Sequence, residues 1–134
     1  MIRILIADPD SATRKALALL LQHKLGAYSI IDVGDVRALI RALADATPDL
    51  LLLDWMLYGS PAPETCLLLQ KAYPHLSIVL LSVDANDEAA AKSAGAEFIY
   101  KGASPDELIA VLKPLLTKRV DQDDSNQALT TQGE

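Results

Sequence analysis

Leu50-Leu51-Leu52-Leu53-Asp54 decides the fold. Four consecutive leucines leave no face for water, so the segment reads as a strand covered on both sides. Pro48-Asp49 opens it with a turn, and the apolar run stops abruptly on a carboxylate. A strand of this kind belongs in a parallel sheet with helices packed on both faces.

Working outward, the flanks repeat the alternation. Ile2 to Ala7 is a short apolar run with one charge that stops at Asp8-Pro9-Asp10. Ser11 then reads as a helix N-cap, with Ala16, Leu17, Leu20 and Leu21 at helical spacing and Gly26 as the stop. Tyr28 to Val33 is the second strand. Gly34 or Asp35 starts a helix to about Ala46, with Val36, Leu39, Ile40 and Leu43 on one stripe. Beyond Asp54, a helix begins near Pro61 to Glu64, carries Leu67, Leu68 and Ala72, and ends before Pro74. Ser77 to Leu81 is the fourth strand, ending at Ser82. Asn86 or Asp87 caps a short Ala-rich helix that stops at Gly95, and Glu97 to Tyr100 is the fifth strand, ending at Lys101. Ser104, Pro105 and Glu107 supply an N-cap, an N1 proline and a capping-box partner for a last helix to about Thr117. The expected fold is α/β, a doubly wound five-stranded parallel sheet. Residues 1–117 form the domain, and the polar segment 118–134 is expected to be a disordered tail or linker.

Composition narrows the function classes. The chain has 134 residues, 51% of them hydrophobic, which suffices for one domain with a sizeable core. Cys66 is the single cysteine, so no internal disulfide forms and a reducing compartment suits it. The start is too short and poorly flanked for a signal peptide, and no apolar run is long enough for a membrane helix. A net charge of −6 argues against direct nucleic-acid binding by this chain. The expectation is a soluble, cytoplasmic protein without a membrane partner.

Ligand sites in open α/β sheets lie beyond the carboxyl ends of the strands, where strand order reverses. The residues at those ends are Asp8 and Asp10, Asp54, Ser82 and Lys101. Carboxylates gathered on one edge repel unless a cation or proton intervenes. A hard ion such as Mg²⁺, held by a couple of carboxylates, waters and a phosphoryl group, suits Asp8, Asp10 and Asp54. Lys101 would then pair with one phosphoryl oxygen and Ser82 would donate to another, an arrangement for in-line transfer by positioning and charge neutralisation. A flavodoxin-like nucleotide or flavin binder is disfavoured, because no Gly-rich loop follows the first strand and that edge is acidic.

The stretches Ile4-Leu5-Ile6-Ala7-Asp8, Leu50 to Asp54, Ile78-Val79-Leu80-Leu81-Ser82 and Phe98-Ile99-Tyr100-Lys101 together resemble the receiver domain of two-component response regulators, over about residues 2 to 117. The resemblance implies a (βα)5 flavodoxin-like fold and phosphate accepted on Asp54 from a histidine kinase or phosphotransfer protein, with Mg²⁺ as cofactor. It implies a metal role for Asp8, a switch role for Ser82 and Phe98, and a phosphoryl-pairing role for Lys101. Such a domain is no enzyme beyond self-phosphotransfer and self-dephosphorylation, and homodimers of the family use the fourth helix, fifth strand and fifth helix. Lys101 to Leu108 looks like receivers that precede a helix-turn-helix output domain.

Departures motivate a second reading. The family's second acidic residue falls at Pro9, which has no side-chain oxygen, so Mg²⁺ affinity should drop unless Asp10 substitutes. Tyr58 and Ala62 stand where the family has proline and glycine, Val83 follows Ser82 and should narrow access, and Gly102 follows Lys101 in place of proline. The spacing from Ser82 to Lys101 implies a fourth helix shortened by nearly one turn. The alternative is a degenerate receiver, an interaction module that works without phosphorylation. Trp55 is read as a partly exposed loop residue without a role, and His23 and His75 as surface residues.

Overall fold

The strand expected at Leu50 to Leu53 lies at the centre of the molecule. The computed structural model describes residues 2–26, 29–59 and 62–117; the tail 118–134, Tyr28 and Pro61 lie outside the described residues. In chain order the elements are β1 (Arg3–Ala7), α1 (Ser11–Leu25), β2 (Ser29–Val33), α2 (Val36–Asp45), β3 (Leu50–Asp54), α3 (Ala62–Ala72), β4 (Ser77–Ser82), a 3₁₀ turn (Ala85–Asp87), α4 (Glu88–Ser93), β5 (Glu97–Tyr100) and the helix α5 (residues 105–117). One sheet has the order β2-β1-β3-β4-β5, and every neighbouring pair is parallel. Strand order therefore reverses at β1 and β3, as the sequence reading requires.

Register aligns the carboxyl ends. Ala7 pairs with Leu53, Asp54 with Leu81 and Ser82 with Tyr100. Successive side chains of each strand then divide between two cores, following the two-residue period of a strand. Leu5, Leu51, Leu53, Leu80 and Phe98 face α2, α3 and α4 through Leu39, Leu43, Cys66 and Ala91. Ile4, Ile6, Leu50, Leu52, Val79 and Ile99 face α1 and α5 through Leu17, Leu21, Leu108 and Leu112. β3 is buried along its whole length, which explains why no residue before Asp54 is polar.

Several expectations need correction. The N-cap of α1 is Asp10, not Ser11: one carboxylate oxygen accepts the Ala12 N–H (3.2 Å) and the other the Thr13 hydroxyl (2.7 Å). The stretch before α4 starts as a 3₁₀ turn capped by Asp84, which accepts the Asn86 N–H at 2.9 Å; of the two residues expected to cap α4, Asp87 holds the N-cap position, but its carboxylate makes no cap bond. Ile40 is exposed, because α2 inserts only Leu39 and Leu43 fully. Leu67 and Leu68 are also exposed, since α3 packs along Ala62, Cys66 and Leu69, a stripe that misses both. Gly26 ends α1 with φ of +85°, a conformation that costs glycine little. At six residues, α4 is short, as expected.

Candidate functional site

The aligned strand ends bring the singled-out side chains to one edge. The buried polar side chains among the described residues are Asp8, Asp54 and Ser82, all of them sequence candidates. Burial of such groups demands partners. Lys101, one residue beyond β5, provides the principal one: its Nζ lies 2.7 Å from Asp8 Oδ2 and 2.5 Å from Asp54 Oδ1. The remaining oxygens accept backbone hydrogens, Asp8 Oδ1 from Asp10 N–H at 2.9 Å and Asp54 Oδ2 from Met56 N–H at 3.0 Å. Two carboxylates thus share one ammonium at the point where strand order reverses.

Main-chain bonds fix this geometry. Trp55 N–H donates to Leu81 C=O at 2.8 Å and Lys101 N–H to Ser82 C=O at 2.7 Å, tying the ends of β3, β4 and β5 together. Arg14 of α1 clamps the other side, donating from Nη1 to the Asp8 C=O at 2.7 Å and pairing through Nε with Asp32 at 2.9 Å. A Cβ at position 34 would stand 2.7 Å from Arg14 Nη1, so this close approach suits the glycine found there. Burial of Lys101 opposes its charge, but hydrogen bonds to Asp54 and Asp8 outweigh burial and raise its pKa above the ordinary lysine value. It stays an ammonium at neutral pH.

The other candidates are placed differently. Asp10 does not join Asp8 and Asp54, because its carboxylate caps α1; hydrogen bonds from the Thr13 hydroxyl and the Ala12 N–H hold its pKa below the ordinary aspartate value. Among the described residues no group of three or more acidic, histidine or cysteine side chains is gathered for a metal. The Ser82 hydroxyl donates to Asp87 Oδ2 at 2.6 Å and accepts the Asp84 N–H at 3.1 Å. Phe98 is buried and meets the Trp55 ring edge-on, with centroids 6.4 Å apart and planes at 83°. Trp55 is therefore a buried core residue, not a partly exposed loop side chain. Val83 stands 77% exposed and turns to solvent. Sequence reasoning missed Arg14, the pairing of Asp87 with Ser82 and the Trp55 contact. The Asp84-Ala85-Asn86-Asp87 cap pattern was the one signal pointing toward Asp87.

The family model of the response regulator receiver domain matches residues 4–113. The chain belongs to this family. As a receiver it is similar to the phosphate regulon transcriptional regulatory protein PhoB of Pseudomonas aeruginosa, 31% identical over 120 residues, covering 86% of this chain and 52% of that protein. It is 30% identical over 123 residues to the DNA-binding response regulator MtrA of Mycobacterium tuberculosis, covering 90% of this chain and 53% of MtrA. The receiver thus spans about half the length of the curated relatives it matches. Among solved structures, NtrX of Brucella abortus superposes with a TM-score of 0.77 at 27% identity, over 95% of this chain and 30% of NtrX. The chemotaxis regulator CheY4 of Vibrio cholerae, at 20% identity and a TM-score of 0.73 over 86% of this chain and 98% of its own, shares the receiver fold. Receivers of this family are signalling domains. No helix among the described residues is long and apolar enough to cross a membrane.

Proposed function

We propose that this receiver accepts a phosphoryl group on Asp54 from a histidine kinase or phosphotransfer protein, and thereby changes its affinity for a partner or output domain. The observation that carries the reading is the Lys101 ammonium shared by Asp54 and Asp8 at the strand-order reversal. In the transfer an Asp54 oxygen forms a bond to phosphorus as the phosphorus–nitrogen bond of the phosphohistidine breaks. The released electron pair stays on the imidazole, which takes up a proton. Lys101, free to leave Asp54 Oδ1 for a phosphoryl oxygen, balances the charge the group brings. Met56 N–H holds the second Asp54 oxygen and so orients the carboxylate.

The residues present fit Mg²⁺: Asp8 and Asp54 are hard oxygen donors near enough together to share one cation, and that ion needs only one or two carboxylates. When bound, it would neutralise charge on the phosphoryl oxygens. Pro9 offers no side-chain oxygen and Asp10 is held on α1, so affinity should be lower than with three acidic ligands. Ser82 and Phe98 serve as the switch pair in this reading, and a homodimer would form through α4, β5 and α5. The setting is cytoplasmic, with no nucleic-acid or membrane contact of its own. The same Pro9 and Asp10 observations favour a second reading, a degenerate receiver that binds partners without phosphorylation.

Incubation with a small acyl-phosphate donor and ample Mg²⁺, followed by intact mass, separates the two. The expected outcome is a gain of one phosphoryl group that Asp54→Asn abolishes. No gain at saturating donor and metal leaves the degenerate receiver as the better reading.

A further inference from the structure

Ser82 has one hydroxyl proton to give. It gives that proton to Asp87 at 2.6 Å, a short charge-assisted bond, while its oxygen accepts the Asp84 N–H at 3.1 Å. Ser82 is buried and Asp87 half-buried, so water competes poorly for the bond. Asp87 is the last residue of the 3₁₀ turn and stands at the N-cap position of α4, yet its carboxylate makes no cap bond to that helix. One hydroxyl thus has two prospective acceptors, and one carboxylate two prospective donors.

We propose that Asp87 is a positioning residue that withholds the Ser82 hydroxyl from a phosphoryl group on Asp54, coupling phosphorylation to the start of α4 through a single exchangeable bond. This rests on the reading of Asp54 as phospho-acceptor. When the hydroxyl turns to a phosphoryl oxygen, the Asp87 carboxylate loses its donor and is released to cap the first turn of α4. Its backbone, at φ −74° and ψ −8°, is helical, whereas a capping residue is extended, so recapping moves the turn between β4 and α4. Breaking the latch opposes the phosphorylated state, and by reciprocity a partner that pulls on α4 changes how well the phosphoryl group is held.

Beryllofluoride, a phosphoryl mimic, titrated at saturating Mg²⁺ and followed by fluorescence of Trp55, the single tryptophan and the neighbour of Asp54, tests this. Asp87→Ala is expected to bind about tenfold more tightly than the native chain, the scale of one hydrogen bond to a charged group. Asp87→Asn, which keeps an uncharged acceptor, should fall between. In a Ser82→Ala background the Asp87 substitution should change nothing, a dependence that a merely structural role would not produce. Thermal melts of each variant run alongside show that it is folded. Equal or weaker binding by Asp87→Ala, or a gain that persists without the Ser82 hydroxyl, overturns the latch alone. Beryllofluoride bound by no variant, Asp87→Ala included, overturns the phospho-acceptor reading with it.

Discussion

Lys101 decides what the site is. It was legible in the sequence because an ammonium directly after a buried strand is unusual, and the alignment of β5 with β4 puts it beside both acids. Lys101→Met removes the shared cation and leaves two carboxylates facing one another. A thermal melt should show a loss of about 1–3 kcal/mol at neutral pH, less than a fully buried pair would cost because Lys101 keeps some exposure. The loss should shrink on addition of Mg²⁺. Because the folded pKa of Lys101 is raised, its contribution is fully present below the ordinary lysine value and disappears as pH rises through the folded value. Alkaline destabilisation above about pH 10.5 should therefore be weaker in Lys101→Met. Asp87 was not legible as a partner of Ser82, since a residue five positions downstream meets the hydroxyl only through the 3₁₀ turn, whose path no periodicity announces.

Between β1 and α1 the competition is between a ligand role and a cap. Asp10 was expected to substitute for the missing acid at Pro9, but the free N–H groups of α1 and the Thr13 hydroxyl claim its carboxylate first. Ser11 was a plausible cap by type, and the structure chooses its neighbour because that side chain reaches two donors at once. Calorimetry should therefore find Mg²⁺ affinity unchanged in Asp10→Ala and higher in Pro9→Asp; an Asp10→Ala protein that loses Mg²⁺ would restore Asp10 as a ligand. The same variant should melt lower at neutral pH. The folded pKa of Asp10 in the native chain is lowered, so the capping contribution is present above the ordinary aspartate value and is lost as pH falls through the folded value. Below that value the variant and native melts should converge. Cap placement at the helix starts was the least legible feature, because it turns on a choice between adjacent residues of similar type.

The molecule as a whole was the most legible. Two cores on either side of one sheet follow from a central strand of alternating Leu50, Leu52 and Leu51, Leu53, and helices with one apolar stripe each complete them. Ile40, Leu67 and Leu68 misled, since an apolar residue at near-helical spacing need not fall on the stripe that meets the sheet. Leu52→Ala, at a fully buried position of β3, should lower the unfolding free energy by about 2–5 kcal/mol in urea with little change of slope. Cys66, on the buried face of α3 with its thiol pushed up to about 11 by burial, should react with a thiol reagent only as the chain unfolds, reporting the same transition.

The proposed function rests on chemistry at one atom of Asp54. Treatment of the protein with a small acyl-phosphate donor and Mg²⁺, then reduction with borohydride, converts an aspartyl phosphate to homoserine, which peptide mass mapping places in the chain. Homoserine at position 54, absent from protein not exposed to the donor, is the expected result. Modification confined to another aspartate, or none while the protein remains folded and Mg²⁺ is in excess, would contradict it.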